Sequence, residues 1–156
     1  MAAPNHPLGA DAPTEDHVGL AFGALAFAAA FGVGLNAAVG LVVRTLQAGA
    51  PAEEQLSLGG APALVLLLGT FLACMAAAVA AWRILAPIHN TFRQGMLAMV
   101  SFFAAFVLSM LTMPVDRAFG RAGLAGVLVV SLIGAFLIGR RLGRAGARGA
   151  QGRGSW

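Results

Sequence analysis

The stretch Gly123–Leu142 reads GLAGVLVVSLIGAFLIGRRL, and it decides the fold class of this chain. Residues 123–139 carry no charge, and the run stops abruptly at Arg140 and Arg141. A helix of about 20 apolar residues, rising about 1.5 Å per residue, crosses the roughly 30 Å hydrocarbon core of a bilayer. The stretch therefore predicts a transmembrane helix whose basic end is fixed at one face of a membrane.

Three further apolar blocks precede this stretch, in a chain of 156 residues that is 59% hydrophobic and 10% charged. Soluble domains average about 25% charged residues, so the composition is typical of an integral membrane protein. We predict an all-α membrane protein, a bundle of four transmembrane helices with short loops. The predicted helices cover residues 17–46, 62–86, 91–113 and 119–142.

The segments outside these blocks are predicted to be tails and short connections. Residues 1–16 are rich in Pro, Ala and Gly and predict a flexible tail, and their acidic character argues against a signal peptide. Residues 143–156 form a basic, Arg/Gly-rich C-terminal tail. In the longest connection, Pro51 is predicted to begin one short interfacial turn of helix.

The distribution of Arg predicts the orientation of the bundle. All 10 basic residues are Arg, a bias that with 21 Gly is typical of GC-rich bacterial genomes. Four spans place both termini and the connection between the second and third helices on one side. Because cytoplasmic segments are enriched in basic residues, we expect that side to be cytoplasmic and the membrane to be the bacterial inner membrane. The predicted cytoplasmic side holds Arg83, Arg93, Arg140, Arg141, Arg144, Arg148 and Arg153. The opposite side holds Arg44, Arg117 and Arg121.

Small residues recur at intervals of four, which places them on one face of each helix. Such faces let membrane helices approach closely, so they predict packing seams. Asn36 is the most polar residue deep in a span, and we interpret it as an interhelical hydrogen-bonding group, with a substrate or ion ligand as the alternative. The predicted packing residues are Ala28, Gly32, Asn36, Gly40, Gly69, Ala73, Ala77, Ser131 and Ala135.

Candidate chemistry is sparse. No Asp, Glu, Lys, Arg or His falls in the middle of a predicted span, which argues against a proton-coupled carrier and against a membrane enzyme. The single cysteine, Cys74, lies in an apolar block and is interpreted as a packing residue. Thioethers can bind Cu(I) and histidines can bind haem, but the Met pairs lie within one helix and the His residues lie outside the apolar spans, so we predict no metal site and no cofactor. The residues concerned are Met96, Met99, Met110, Met113, His17 and His89.

Basic residues at the ends of the helices predict contacts with lipid or with a partner. The connection between the third and fourth helices is expected to be a solvated loop that contains Asp116, Arg117 and Arg121. These residues could form a local ion pair and bind lipid phosphate. Without interleaved aromatic residues the basic tail does not predict nucleic-acid binding. It is expected to dock onto anionic lipid headgroups or an acidic partner subunit through Arg140, Arg141, Arg144 and Arg148.

These observations predict a non-catalytic accessory, structural or assembly subunit of a larger bacterial inner-membrane complex, with an energy-transducing complex as one candidate. Its expected partners are other membrane protein subunits and anionic lipids. The alternative is a small homo-oligomeric channel or transporter, in which polar side chains line a path. The residues predicted for that path are Asn36, Ser101, Ser109 and Ser131.

Overall fold

The described residues form four α-helices and no strand. The computed structural model describes the backbone of residues 15–49, 61–86 and 90–151, and the side chains of residues 18–49, 62–86 and 90–143. Each helix is long and apolar enough to span a membrane, which confirms the predicted all-α bundle. The helices are α1 (Glu15–Ala48), α2 (Ala61–Ile84), α3 (Thr91–Ser109) and α4 (Thr112–Gln151).

The helix ends differ little from the predicted ones in α1 and α2, but they differ in α3 and α4. Helix α1 begins at Glu15, so the predicted tail is two residues shorter. Helix α3 begins after Asn90, whose side chain accepts a hydrogen bond from the Arg93 backbone N–H at 3.1 Å and caps the first turn. Most of the N-terminal tail and the turn predicted at Pro51 lie outside the described residues.

Helix α3 ends at Ser109, four residues earlier than the predicted end at Met113. Over the next turn the backbone bonds tighten: Met110, Leu111 and Met113 each donate to the carbonyl three residues earlier, at 3.0–3.2 Å. Pro114 has no N–H, so the carbonyl of Met110 cannot receive its usual helical bond. The distortion therefore falls before the proline, and helix resumes at Thr112 with Pro114 in its first turn, where proline is tolerated.

Helix α4 is divided at Gly120, where φ is 56° and ψ is −140°, a combination that glycine adopts far more readily than other residues. We call residues 112–119 the short arm and residues 121–151 the long arm. A Cβ placed on Gly123 would lie 2.9 Å from Val115 Cγ1, although eight residues of straight helix advance about 12 Å. The chain therefore turns back at Gly120.

The long arm corresponds to the predicted fourth helix but continues past its expected end at Leu142 to Gln151. Arg and Ala favour helix in this segment, whereas Gly143, Gly146 and Gly149 each disfavour it by about 1 kcal/mol, so local propensity does not account for the extension. The predicted tail at residues 143–156 is helical over most of its length. The side chains of Arg144 and Arg148 lie outside the described residues.

Helix α1 is the centre of the bundle. It contacts α2, α3 and α4, whereas α4 packs mainly against α1 and touches α3 only marginally. The long arm runs antiparallel to α1, with Leu142 beside Gly23 and Leu124 beside Gly40. A smaller share of the apolar span is buried in α4 than in each of the other three helices, so α4 lies at the edge of the bundle.

Small side chains form the core between α1, α2 and α3. A Cβ placed on Gly32 would lie 2.6 Å from the Ala105 Cβ and 3.3 Å from the Ala77 Cβ, so three helices meet at this glycine. Of the predicted packing residues, the structure places Gly40, Gly69 and Ser131 in half-buried positions. The other six are buried, namely Ala28, Gly32, Asn36, Ala73, Ala77 and Ala135.

Candidate functional site

The polar cluster of the membrane-spanning region is built around Asn36, which is 7% exposed. Its Nδ2 donates to the Ser109 carbonyl oxygen at 3.3 Å and to Thr112 Oγ1 at 3.0 Å. Its Oδ1 accepts a hydrogen bond from Thr70 Oγ1 at 2.7 Å. One amide therefore joins α1 to α2, to the end of α3 and to the short arm. We call Asn36, Thr70, Ser109 and Thr112 the Asn36 cluster.

The break between α3 and α4 explains why an amide is needed at this position. The Met113 N–H donates to the Met110 carbonyl rather than to the Ser109 carbonyl, so the Ser109 carbonyl lacks its usual hydrogen bond from within the helix. It instead accepts bonds from Asn36 Nδ2 and, at 2.7 Å, from Thr112 Oγ1. A bilayer core offers no water to such a carbonyl, so irregular backbone at this depth must be satisfied by protein.

Asn36 has two N–H donors and two acceptor lone pairs, and three of these four are engaged by the described residues. Ser109 Oγ is buried and has no hydrogen-bond partner among the described residues. The hydrogen bonds of Asn36 thus connect helices, and the Ser109 hydroxyl is the member of the cluster that stays without a partner among the described residues.

The other two residues predicted for a conduction path lie elsewhere. Ser101 is 1% exposed, and its Oγ donates to the carbonyl of Leu97 in its own helix at 2.8 Å. Ser131 packs in the contact between the long arm and α1, where a Cβ on Gly34 would lie 3.3 Å from its Cβ. Asn36 and Ser109 therefore belong to one cluster, whereas Ser101 bonds within α3 and Ser131 packs against α1.

A second polar group lies at the end of the bundle where α1 ends. Asp116 in the short arm accepts hydrogen bonds from Arg44 Nε at 3.0 Å and from Arg44 Nη2 at 2.9 Å. Arg121 Nη2 donates to the Arg44 carbonyl at 2.8 Å, near the C-terminus of α1. The sequence places Asp116 in a loop beside Arg117 and Arg121, whereas the structure places it in the short arm and pairs it with Arg44, which the predicted topology puts on the same side.

An open cavity of about 440 Å³ adjoins this ion pair. Its lining combines charged, amide and small side chains from the end of α1 and from both arms of α4. The lining residues are Arg44, Gln47, Ala48, Asp116, Arg117, Gly120 and Arg121. We call it the arginine cavity.

A separate apolar groove of about 270 Å³ lies where α4 stands away from α3. Its walls are almost entirely aliphatic, with Thr112 and Ser131 as the polar exceptions. Such a groove can accept hydrocarbon but offers few groups for chemistry.

The ion pair between Arg44 and Asp116 predicts a measurable but modest coupling. The two side chains are 41% and 27% exposed, so water screens them, and bidentate geometry places the coupling near the upper end of about 0.2–1 kcal/mol. A double-mutant cycle with Arg44→Gln and Asp116→Asn, followed by unfolding in mixed micelles, measures this coupling. The matched cycle of Arg117→Gln with Asp116→Asn is expected to give a value near zero, and equal couplings in the two cycles would contradict the assignment.

The remaining sequence candidates do not assemble into a site. The four methionines of the two pairs are 40–58% exposed and face outwards. Within the part of the chain that the structure describes, no three His, Cys, Asp or Glu side chains come together to hold a metal ion. Cys74 is buried in the core, and Arg140 and Arg141 are exposed. The side chains of His17 and His89 lie outside the described residues.

Comparisons with protein-family models, with curated proteins and with solved structures find no match to this chain. The contacts within the chain are therefore the basis for assigning it a function.

Proposed function

We propose that this protein is a non-catalytic accessory, structural or assembly subunit of a larger bacterial inner-membrane complex. The observation that carries the proposal is the bonding of Asn36, the most polar residue deep in a span. A ligand-binding amide needs free donors or acceptors that face a path. Three of the four hydrogen-bonding sites of Asn36 are used to hold helices together.

The arrangement of the helices supports the same proposal. Beyond the turn at Gly120, the long arm of α4 packs mainly against α1 and touches α3 only marginally, so its outward flank remains open to other membrane components. Its outward side chains include Val130, 71% exposed, and Phe136, 67% exposed. Without a hydrophobic driving force between helices in lipid, close packing against a complementary helix is what stabilises association. We assign this flank to a neighbouring subunit.

The proposed orientation places both termini in the cytoplasm, with Arg44, Asp116 and Arg121 at the opposite, periplasmic end. It follows from the seven Arg residues predicted for one side and the three for the other. A single cysteine introduced as Ser57→Cys, in a Cys74→Ala background, is expected to react with a membrane-impermeant maleimide added to spheroplasts. A cysteine that reacts only after the membrane is permeabilised would invert the orientation.

Affinity extraction tests the proposed function. The tagged protein is extracted from its native membrane in a mild detergent, and the polypeptides recovered with it are identified by mass spectrometry. We expect a second, different membrane polypeptide in near-stoichiometric amount. An unrelated tagged four-helix membrane protein, expressed at the same level, serves as the control for abundant contaminants. Recovery of this chain solely as a homo-oligomer would contradict the proposal.

A flux measurement separates this role from that of a channel. Liposomes that contain only the purified protein are expected to show no solute flux above that of empty liposomes. Flux that appears with the wild-type protein and is abolished by Asn36→Leu would replace the accessory role with transport.

A further inference from the structure

The arginine cavity carries a function that the subunit role does not require. We propose that it binds the phosphate group of an anionic lipid headgroup, in the leaflet at the end of the bundle where α1 ends. This site is independent of the proposed function, because an isolated protein and a subunit of a complex could both hold such a lipid.

The charges that border the cavity favour an anion. Its lining contains three Arg and one Asp, which leaves two positive charges in excess. Asp116 bonds to the Nε and Nη2 of Arg44, so its negative charge is directed at Arg44. The excess positive charge is therefore contributed by Arg117 and Arg121, both of which are exposed.

The guanidinium of Arg121 is held in place. Its Nη2 donates to the Arg44 carbonyl at 2.8 Å, which fixes the group at the rim of the cavity and covers a carbonyl at the negative end of α1. Guanidinium carries five N–H donors in a planar fork that matches phosphate oxygens in pairs. One bond to the carbonyl leaves the greater part of this fork for a ligand.

The backbone contributes partial charges of both signs beside the cavity, because α1 and the short arm end there and the long arm begins there. The chain reverses at Gly120, which lines the cavity, so the long arm begins there. The first N–H groups of a helix have no partner in their own helix, and together with the helix dipole they favour an anion. The N-terminus of the long arm therefore offsets the carbonyl ends of α1 and of the short arm, and the preference for an anion comes from the side chains of Arg117 and Arg121.

The position of the cavity along the membrane normal favours a lipid headgroup over a free phosphate ion. Arg44, Gln47 and Ala48 lie in the last turn of the apolar span Val18–Ala48, where a transmembrane helix reaches the headgroups. A lipid phosphodiester and a free phosphate offer the same oxygens to Arg. A lipid is held at this level by its acyl chains, however, and basic residues at the surface attract anionic lipids.

Native mass spectrometry of the purified protein tests the proposal. The protein is released from nanodiscs of equal parts phosphatidylglycerol and phosphatidylcholine, and the retained lipid is counted. We expect retention of phosphatidylglycerol in preference to phosphatidylcholine. In the variant carrying Arg117→Gln and Arg121→Gln, the ratio of retained phosphatidylglycerol to retained phosphatidylcholine is expected to fall by about fivefold for each Arg removed. The variant carrying Arg83→Gln and Arg93→Gln loses the same charge at the opposite end and is expected to keep it.

Additional variants and ligands distinguish a failed fold from a failed proposal. If the cavity variant fails to fold by circular dichroism, the pair Arg117→Lys and Arg121→Lys, which keeps the charge but not the planar fork, is measured in its place and is expected to show a weaker preference than the wild type. Equal retention of the two lipids by the wild type would overturn the proposal. So would equal losses in the cavity and control variants. Binding of inorganic phosphate without retention of phosphatidylglycerol would overturn the lipid as the source.

Discussion

Replacing Gly32 with Leu is expected to force α1 away from α2 and α3 and to destabilise the bundle by about 3 kcal/mol, the upper end of the usual cost of overpacking. Even a Cβ at this position would lie 2.6 Å from the Ala105 Cβ and 3.3 Å from the Ala77 Cβ. Neither alanine can rotate away, because a Cβ atom is fixed by the backbone. The helices themselves would have to move.

A graded series makes this expectation specific. Gly32→Ala is expected to cost about 1 kcal/mol, and Ala105→Gly in the same chain is expected to restore part of that loss by removing the opposing Cβ. Unfolding by sodium dodecyl sulfate, followed by circular dichroism, measures each step. Gly126→Ala is the matched control, since a Cβ there meets no atom within 4 Å, and its effect is expected to stay within about 0.5 kcal/mol. Equal costs for Gly32→Leu and Gly126→Leu would contradict the three-helix contact.

Asn36→Leu is expected to have the second largest effect, a loss of about 2 kcal/mol. Hydrogen bonds between membrane helices contribute about 0.6 kcal/mol on average and up to about 1.7 kcal/mol. A buried carbonyl that loses a partner adds to this cost, because its desolvation is no longer fully compensated. Leu has the branching and the number of heavy atoms of Asn but a larger volume, so the loss includes crowding at this buried site as well as the lost hydrogen bonds. The same unfolding measurement applies, and Ser101→Ala, which removes a hydroxyl bonded only within α3, is the control.

Coupling between residues distinguishes the Asn36 cluster from a set of independent bonds. Thr112→Val removes the hydroxyl that accepts from Asn36 and donates to the Ser109 carbonyl. Because the two residues share one bond and one carbonyl, the double variant with Asn36→Leu is expected to cost less than the sum of the single variants. Strict additivity would show that the two side chains do not belong to one cluster.

The four helices could be predicted because each apolar run is long enough to cross a bilayer and contains no charge in its middle. The boundary between α3 and α4 could not be placed as easily. The sequence places the end of the third helix at Met113, directly before Pro114, but proline disturbs the turn before it, and the break therefore begins at Ser109. The reversal at Gly120 depends on one backbone conformation in a chain with 21 glycines, and composition does not distinguish that glycine.

Asn36 could be singled out because an amide is rare in a long apolar run. Its partners could not, since Thr and Ser in helices commonly bond to their own backbone, as Ser101 does. Thr70 and Thr112 are 34 and 76 residues away in the chain, and only the packing register brings them together. The pairing of Arg44 with Asp116 could not be predicted for the same reason, because it depends on the short arm packing beside the last turns of α1.

In the proposed subunit role, the open flank of α4 faces another membrane protein. A measurement in the intact native membrane tests this claim most directly. A photo-reactive benzophenone amino acid is placed at Val130 or Phe136, on the exposed side of the long arm, and at Leu67 in α2 for comparison. After irradiation, the subunit role predicts a covalent adduct between the long arm and a second, different polypeptide. Adducts formed only with lipid or with another copy of this chain, at all three positions, would contradict it.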